Sequence, residues 1–387
     1  MRHSEEFSLV ATCCGWPHDE THLDAVRALA GTGIEWARVV AIAQRHRVEG
    51  LVSQGLLRSG TSLPDPIRAD MVAAGRRAAV QGMQQAAASC DLTRRIADAG
   101  ARAVIVKGAP LAMLAYGSLS IKTSHDIDIL VARRDVRAAW QAVETAGYRR
   151  YNPPIDQIDD DQLDRWFDHA IEGSWQHPDS GTIVEIHSRL CSHPVFDAAV
   201  SVRSPTQQVA LGTVGQVETL SDESLYTYLC VHGATHGWRR LKWLADIAAF
   251  AARPEVDPAM LHAAAGRAGA GRCSAQASAL AREMLGVPGW VPYREQRAPV
   301  VRLLASAARA AMIGKDETTD DMGPWGEPAG VILSRFWLGR GLGFKWAELR
   351  LRLRHPTDRA RQAATSERGY LAIALRRLAG RLRRAFG

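Results

Sequence analysis

The sequence predicts an α+β protein, a small mixed β-sheet carried between helical regions, and three observations in its 387 residues point there. Apolar residues recur at helical spacing through the first hundred positions, the pattern switches after Ala101 to short β-branched runs, and from Ser221 it returns to helix. With 47% hydrophobic and 23% charged residues, the composition suits a chain that buries a sizeable core.

Taken in order, Trp36, Val39, Val40, Ala43, Val48, Leu51 and Val52 mark a helical stretch from Glu35 to Leu57, and a second runs from Pro66 to Ala99. Ala103-Val104-Ile105-Val106 reads as a strand. Lys107-Gly108-Ala109-Pro110 is then a tight turn opening a helix, with Pro110 in the first turn, where its missing N–H costs nothing. Asp126-Ile127-Asp128-Ile129-Leu130-Val131 alternates polar and apolar residues, as a half-buried strand does, with both aspartates on one face. A helix from about Asp135 to Ala146 closes at Gly147. Asp156 to Asp161 is an acidic loop or helix start. Thr182 to His187 is a third strand, with Glu185 and His187 on one face, and Val214 to Leu220 is a fourth. Ser221-Asp222-Glu223 forms an N-cap with an acidic first turn, opening a helix through Phe250; another follows from Pro258 to about Leu285. The organisation is a helical region over 1–99, an α/β core over 100–220, a second helical region over 221–330 and a basic tail over 331–387.

Several classes are disfavoured. The longest uncharged apolar candidate, Gly108 to Ile121, falls short of the roughly 18 residues a transmembrane helix needs. Met1 to Glu6 lacks the apolar core of a secretory signal. Cys13, Cys14, Cys90, Cys191, Cys230 and Cys273 form no Cys-x-x-Cys pair, which argues against a disulfide scaffold or structural zinc and for a reducing, cytoplasmic setting. The net charge of +7 is uneven: residues 331–387 hold fourteen Lys/Arg against Glu348, Asp358 and Glu367, a net of +11, leaving −4 for the rest. The basic character therefore belongs to the tail, whose Leu349 to Arg354 alternation and Arg-rich stretch from Gly369 to Phe386 can meet an anionic surface or lie on the body with solvated arginines.

Carboxylates at i and i+2 on a strand project side by side, so Asp126 and Asp128 can share divalent cations. Glu185 on a neighbouring strand completes an oxygen-rich set suited to Mg²⁺, with Mn²⁺ as an alternative. The turn at Lys107-Gly108-Ala109 opens a helix, and N–H groups at a helix start attract phosphate. Alone, Asp-x-Asp can be a solvated strand face and Lys-Gly a simple turn. The ordered set of strand, glycine turn, helix, Asp-x-Asp strand and acidic strand favours phosphoryl or nucleotidyl transfer.

Val106-Lys107-Gly108-Ala109 through Ser124-His125-Asp126-Ile127-Asp128-Ile129-Leu130-Val131 resembles the nucleotidyltransferase superfamily that includes DNA polymerase β and kanamycin nucleotidyltransferase. More closely, it resembles a bacterial family labelled uncharacterised nucleotidyltransferase. Val184-Glu185-Ile186-His187 and the segment from His232 to Asp246 fit that family too. The resemblance implies a small mixed nucleotidyltransferase sheet and a two-metal mechanism. In it Asp126 and Asp128 bind both ions, Glu185 binds the acceptor-side ion, and an acceptor oxygen attacks the α-phosphorus of a nucleoside triphosphate. Gly108 and Ala109 would offer backbone N–H groups to the triphosphate, without the hydroxyl of the superfamily's Gly-Ser pair. Where the family has Arg four residues before the first aspartate, this chain has Lys122, which keeps the charge and gives up the bidentate fork. Ser188 stands where family members often have Trp.

Lys107 can neutralise phosphate or pair with a carboxylate, and His187 can orient a ligand, contact the acceptor or be a satisfied strand histidine. His232 and His236 have the i, i+4 spacing of a zinc face without the glutamate of a metalloprotease, so they face the cleft or pack between helices. Arg239, Arg240 and Lys242, beside Trp238 and Trp243, form a basic cluster for phosphate or base, with Asp246 paired to one of these cations. The expected reaction is transfer of a nucleoside monophosphate, AMP by default, to a hydroxyl or phosphate of a small-molecule, peptide, protein or RNA acceptor, in natural-product or cell-surface saccharide tailoring. The rivals are sugar transfer from a nucleotide-sugar and a catalytically silent nucleotide-binding partner protein.

Overall fold

The structure is a computed structural model, and its described residues are 3–31, 33–122, 124–154, 158–320 and 328–353. It is an α+β fold. The N-terminal region is helical, but the stretch from Glu35 to Leu57 is broken at Arg47, whose left-handed backbone (φ 55°, ψ 47°) separates Trp36–His46 from Glu49–Arg58. The long helix Asp65–Asp98 begins with Pro66 in its first turn. This helix and Glu49–Arg58 both press close on the chain entering the second strand: a Cβ on Gly82 would lie 1.9 Å from the Leu119 carbonyl oxygen, and one on Gly50 would lie 2.2 Å from that of Ile121. The Gln81 and Gln85 side-chain amides both donate to the Ser124 carbonyl, at 2.7 and 2.6 Å.

The main sheet holds β1 (Val104–Ile105), β2 (Asp126–Leu130), β3 (Arg149–Asn152), β4 (Glu172–Gln176) and β5 (Ile183–His187), in the order β1-β2-β5-β4-β3. β2 and β5 run parallel at the centre and every other pair is antiparallel, so the sheet is mixed as predicted. Side chains alternate across it. Ile127, Ile129, Val131, Val184 and Ile186 join a core with Trp140, Trp166, Phe167 and Trp175, leaving Asp126, Asp128, Glu185 and His187 for the opposite face. A second core runs through the helices, from Phe7, Val52 and Leu56 to Tyr226, Leu244 and Leu304.

The structure corrects four further readings. Two strands, β3 and β4, went unpredicted. The strand over Val214 to Leu220 exists as β7 (Gln216–Leu220), but it pairs with β6 (Thr206–Ala210) in a separate two-stranded sheet beside β1. The helix through Phe250 is two helices, Asp222–Thr235 and Leu241–Ala251, because Gly237 and Trp238 take positive φ (63° and 49°) between them. The helix from Pro258 likewise breaks after Arg267, at Gly269 with φ 76°. Within the acidic segment, Asp159 caps the helix Asp160–Trp166 in a reciprocal arrangement with Gln162. Leu349 to Leu353 lies in the helix Gly341–Leu353; the Arg-rich stretch from Gly369 falls outside the described residues. Among the described residues no helix is long and apolar enough to cross a membrane, and all six cysteines are free thiols.

Candidate active site

The site is assembled by strand register. Asp128 on β2 and Glu185 on β5 are direct partners across the parallel pair, while Asp126 lies opposite Ile183. The three acids therefore share one face of two adjacent strands. β1 continues through Val106, whose N–H donates to the Asp128 carbonyl at 3.0 Å, and this delivers Lys107 to the Asp128 side chain. From the other side β4 places Glu172 opposite His187. Trp166, donating from Nε1 to the Glu172 carbonyl at 2.9 Å, fixes the start of that strand.

Asp128 is 1% exposed. Its Oδ1 receives Lys107 Nζ at 2.9 Å and His187 Nε2 at 3.2 Å, while Oδ2 is buried and accepts no hydrogen bond from the described residues. His187 Nε2 also lies 3.6 Å from Glu185 Oε2, and its Nδ1 lies 3.4 Å from Glu172 Oε2. Burial would raise the Asp128 pKa, but Lys107 and His187 outweigh it and hold the carboxyl well below its ordinary range. Burial would lower the His187 pKa, and hydrogen bonds to Asp128 and Glu185 reverse that, so the imidazole is a cation. Lys107 is likewise held charged: burial opposes the charge and Asp128 overrides it. Burial pushes the Glu172 carboxyl up.

The ligand-type atoms of Asp128, Glu185 and His187 all lie within 4.8 Å of one another, and with the imidazole protonated the two carboxylates are the donors a metal ion would use. Around them the Asp126, Asp128 and Glu185 carboxylates, with the Glu172 carboxyl beside them, face the two cations Lys107 and His187. Surplus negative charge beside an unsatisfied buried oxygen suits a divalent cation.

These residues line one end of a cavity of about 620 Å³, large enough for a nucleotide. Of the other predicted residues, Lys122, Lys242, His232 and His236 also line it, with Trp243. The two imidazoles lie 4.6 Å apart between centroids, and Trp243 lies 5.5 and 5.3 Å from them. Burial holds both well below the ordinary histidine range, His236 at about 3, so they are neutral. The described residues bring them no third metal ligand.

Three expectations meet a different placement. Gly108 (φ 72°) and Ala109 are buried at the start of the helix Ala109–Tyr116 and do not line the cavity. Arg240 is not part of the cavity lining and pairs with Asp320. Asp246 pairs with none of the 239–242 cations: it binds Lys122 and accepts from the Tyr116 hydroxyl at 3.0 Å. Trp238, fully buried, is core.

Sequence reasoning missed Glu172, Ser124 and Arg47. The Ser124 hydroxyl donates to Asp126 Oδ1 at 3.1 Å. Arg47 lines the cavity because its neighbour His46 accepts, through Nδ1, the Leu241 N–H at 3.1 Å. That bond joins the end of one helix to the start of the helix bearing Lys242. The one available signal was that Glu172 precedes an acidic strand by a hairpin's length; nothing marked Arg47.

Among curated proteins and among solved structures, none matches this chain. A family described as uncharacterised nucleotidyltransferase matches residues 32–286, a span that holds both acidic strands, Lys107, Arg47 and the paired histidines. Of the cavity lining, Arg335, Glu348, Leu351 and Arg352 fall beyond it. The matched span is most of the chain, and the protein belongs to this nucleotidyltransferase family.

Proposed function

We propose that the protein transfers a nucleoside monophosphate, AMP by default, from a nucleoside triphosphate to a hydroxyl or phosphate acceptor. One observation carries the reading: the Asp128 and Glu185 carboxylates are register partners lining a nucleotide-sized cavity, with Asp128 Oδ2 buried and given no hydrogen bond by the described residues.

Asp126, Asp128 and Glu185 would hold divalent cations, Mg²⁺ or Mn²⁺, and bound there these would stabilise charge developing on the α-phosphoryl group and acidify the acceptor hydroxyl. Lys107 and His187 keep Asp128 ionised and oriented. Arg47 and Lys242 line the cavity with no ion-pair partner within 4 Å among the described residues, and they hold the triphosphate tail that departs as pyrophosphate. Lys122 is committed to Asp246 and acts through position rather than contact. The neutral His232, His236 and Trp243 rings present π-faces to the base or acceptor. The acceptor oxygen bonds to the α-phosphorus as the bond to the bridging oxygen breaks.

Incubating the protein with the four triphosphates, Mg²⁺ and a panel of acceptors, then weighing each acceptor by mass spectrometry, tests this. A gain of one nucleoside monophosphate with pyrophosphate release, lost in Asp126→Asn and Glu185→Gln, is expected. Release of a nucleoside diphosphate from a nucleotide-sugar would support the sugar-transfer rival instead. Nucleotide binding without turnover, and with a co-purifying partner, would support the silent one.

A further inference from the structure

The C-terminal helix Gly341–Leu353 presents two unlike faces. Inward, Phe344 and Glu348 are buried, Phe344 stacks on His193 at 3.9 Å between centroids, and Leu351 and Arg352 line the cavity. Outward, Leu342, Trp346 and Leu353 are 83%, 55% and 62% exposed. At about 100° per residue these three fall within roughly 40° of one another, with Lys345 on one side of the stripe and Arg350 on the other. The Lys345 ammonium sits 3.6 Å over the Trp337 ring, and the Arg350 guanidinium 5.3 Å from that of Trp346. Trp337 and Leu333 are exposed as well. Five of the thirteen exposed large hydrophobic residues among those described thus lie within 333–353, so this is a patch and not scatter.

We propose that this face docks on the surface of an anionic lipid bilayer. Leucine and tryptophan side chains enter the boundary between headgroups and acyl chains, and the flanking Lys345 and Arg350 meet lipid phosphates. Charge decides among occupants. Residues 331–353 carry five cations against Glu348, a net of +4, and residues 354–387 carry nine against Asp358 and Glu367, a net of +7. A second copy of the helix, or the chain's own continuation, would bring like charge to like charge. An anionic partner complements both, and the aliphatic stripe selects lipid over RNA, which has no apolar layer to receive Leu342 and Leu353.

The test uses the full chain in vesicle co-sedimentation, comparing phosphatidylcholine alone with phosphatidylcholine containing about 30% phosphatidylglycerol. Binding to the anionic vesicles only, weakening as salt rises, is expected. Leu342→Ser with Trp346→Ser, and separately Lys345→Glu with Arg350→Glu, should each reduce the partition coefficient about tenfold or more. Leu342, Trp346 and Arg350 are exposed and Lys345 is half-buried, and unchanged melting temperatures identify variants that fold normally. Absence of wild-type binding overturns the proposal, as does capture of RNA by a chain that ignores the vesicles. Undiminished binding by the Leu342/Trp346 variant overturns it too, since the tail alone would then suffice.

Discussion

The Lys107 ammonium lies 2.9 Å from Asp128 Oδ1 in a setting where the aspartate is 1% exposed and His187 binds the same oxygen. Two cations thus depend on one buried carboxylate. Asp128→Asn would leave both partly uncompensated, and the expected loss of stability is about 3 kcal/mol. Urea unfolding measures it, and a midpoint unchanged from wild type would show that the pairing is incidental. For this reason Asp126→Asn and Glu185→Gln, on half-buried groups, are the cleaner probes of activity.

Arg47 holds a left-handed backbone without the glycine that usually takes that conformation, so Arg47→Gly relieves local strain while deleting the guanidinium. Stability should stay within about 1 kcal/mol of wild type. Affinity for a nucleoside triphosphate should fall about tenfold and that for the monophosphate should not change, because the guanidinium is assigned to the departing phosphates. Calorimetric titration with both ligands decides this; equal losses for the two would remove Arg47 from the tail-binding role.

Lys242 is pushed down to about 8, first by burial and then by Lys122. Its charge is therefore present near neutrality and lost as pH rises past 8. Triphosphate affinity should decline between about pH 7 and 9, and Lys242→Arg, which stays protonated, should flatten that decline. Fold stability runs the other way. Between about 8 and the ordinary lysine value of 10.5 the unfolded chain holds a proton that the folded chain lacks, so this residue's contribution rises with pH. A pH series of binding isotherms on both proteins checks the sign.

The chemistry-bearing strands were legible because they follow simple periods. Val104 and Ile105 are β-branched, and Asp126 to Leu130 alternates cleanly enough to place both aspartates on one face. What could not be read was register: no pattern in Ile183 to His187 says that Glu185 stands opposite Asp128 rather than Asp126. β3, Arg-Arg-Tyr-Asn, has no apolar alternation, and β4 begins Glu-Gly-Ser, residues that favour turns, so Glu172 stayed hidden. Both are held by neighbours, with Trp175 donating to Glu144 at 2.9 Å, and tertiary packing overrides propensity there. The break at Arg47 has no Gly, Pro or Asn to announce it. The break at Trp238 did have Gly237, and the helical spacing of the residues on either side outweighed it.

Among the described glycines, the tightest approaches to another segment's backbone lie beside the chain that leads into β2. At Gly50 and Gly82 two helices rest against the carbonyl oxygens of Ile121 and Leu119 with no room for a methyl group, and those carbonyls belong to the strap that leads into Asp126. One carbon added at either glycine would be passed along as a shove. A carboxylate can thus be put out of line by a position that never meets a substrate, and inactivating changes need not cluster where the chemistry is.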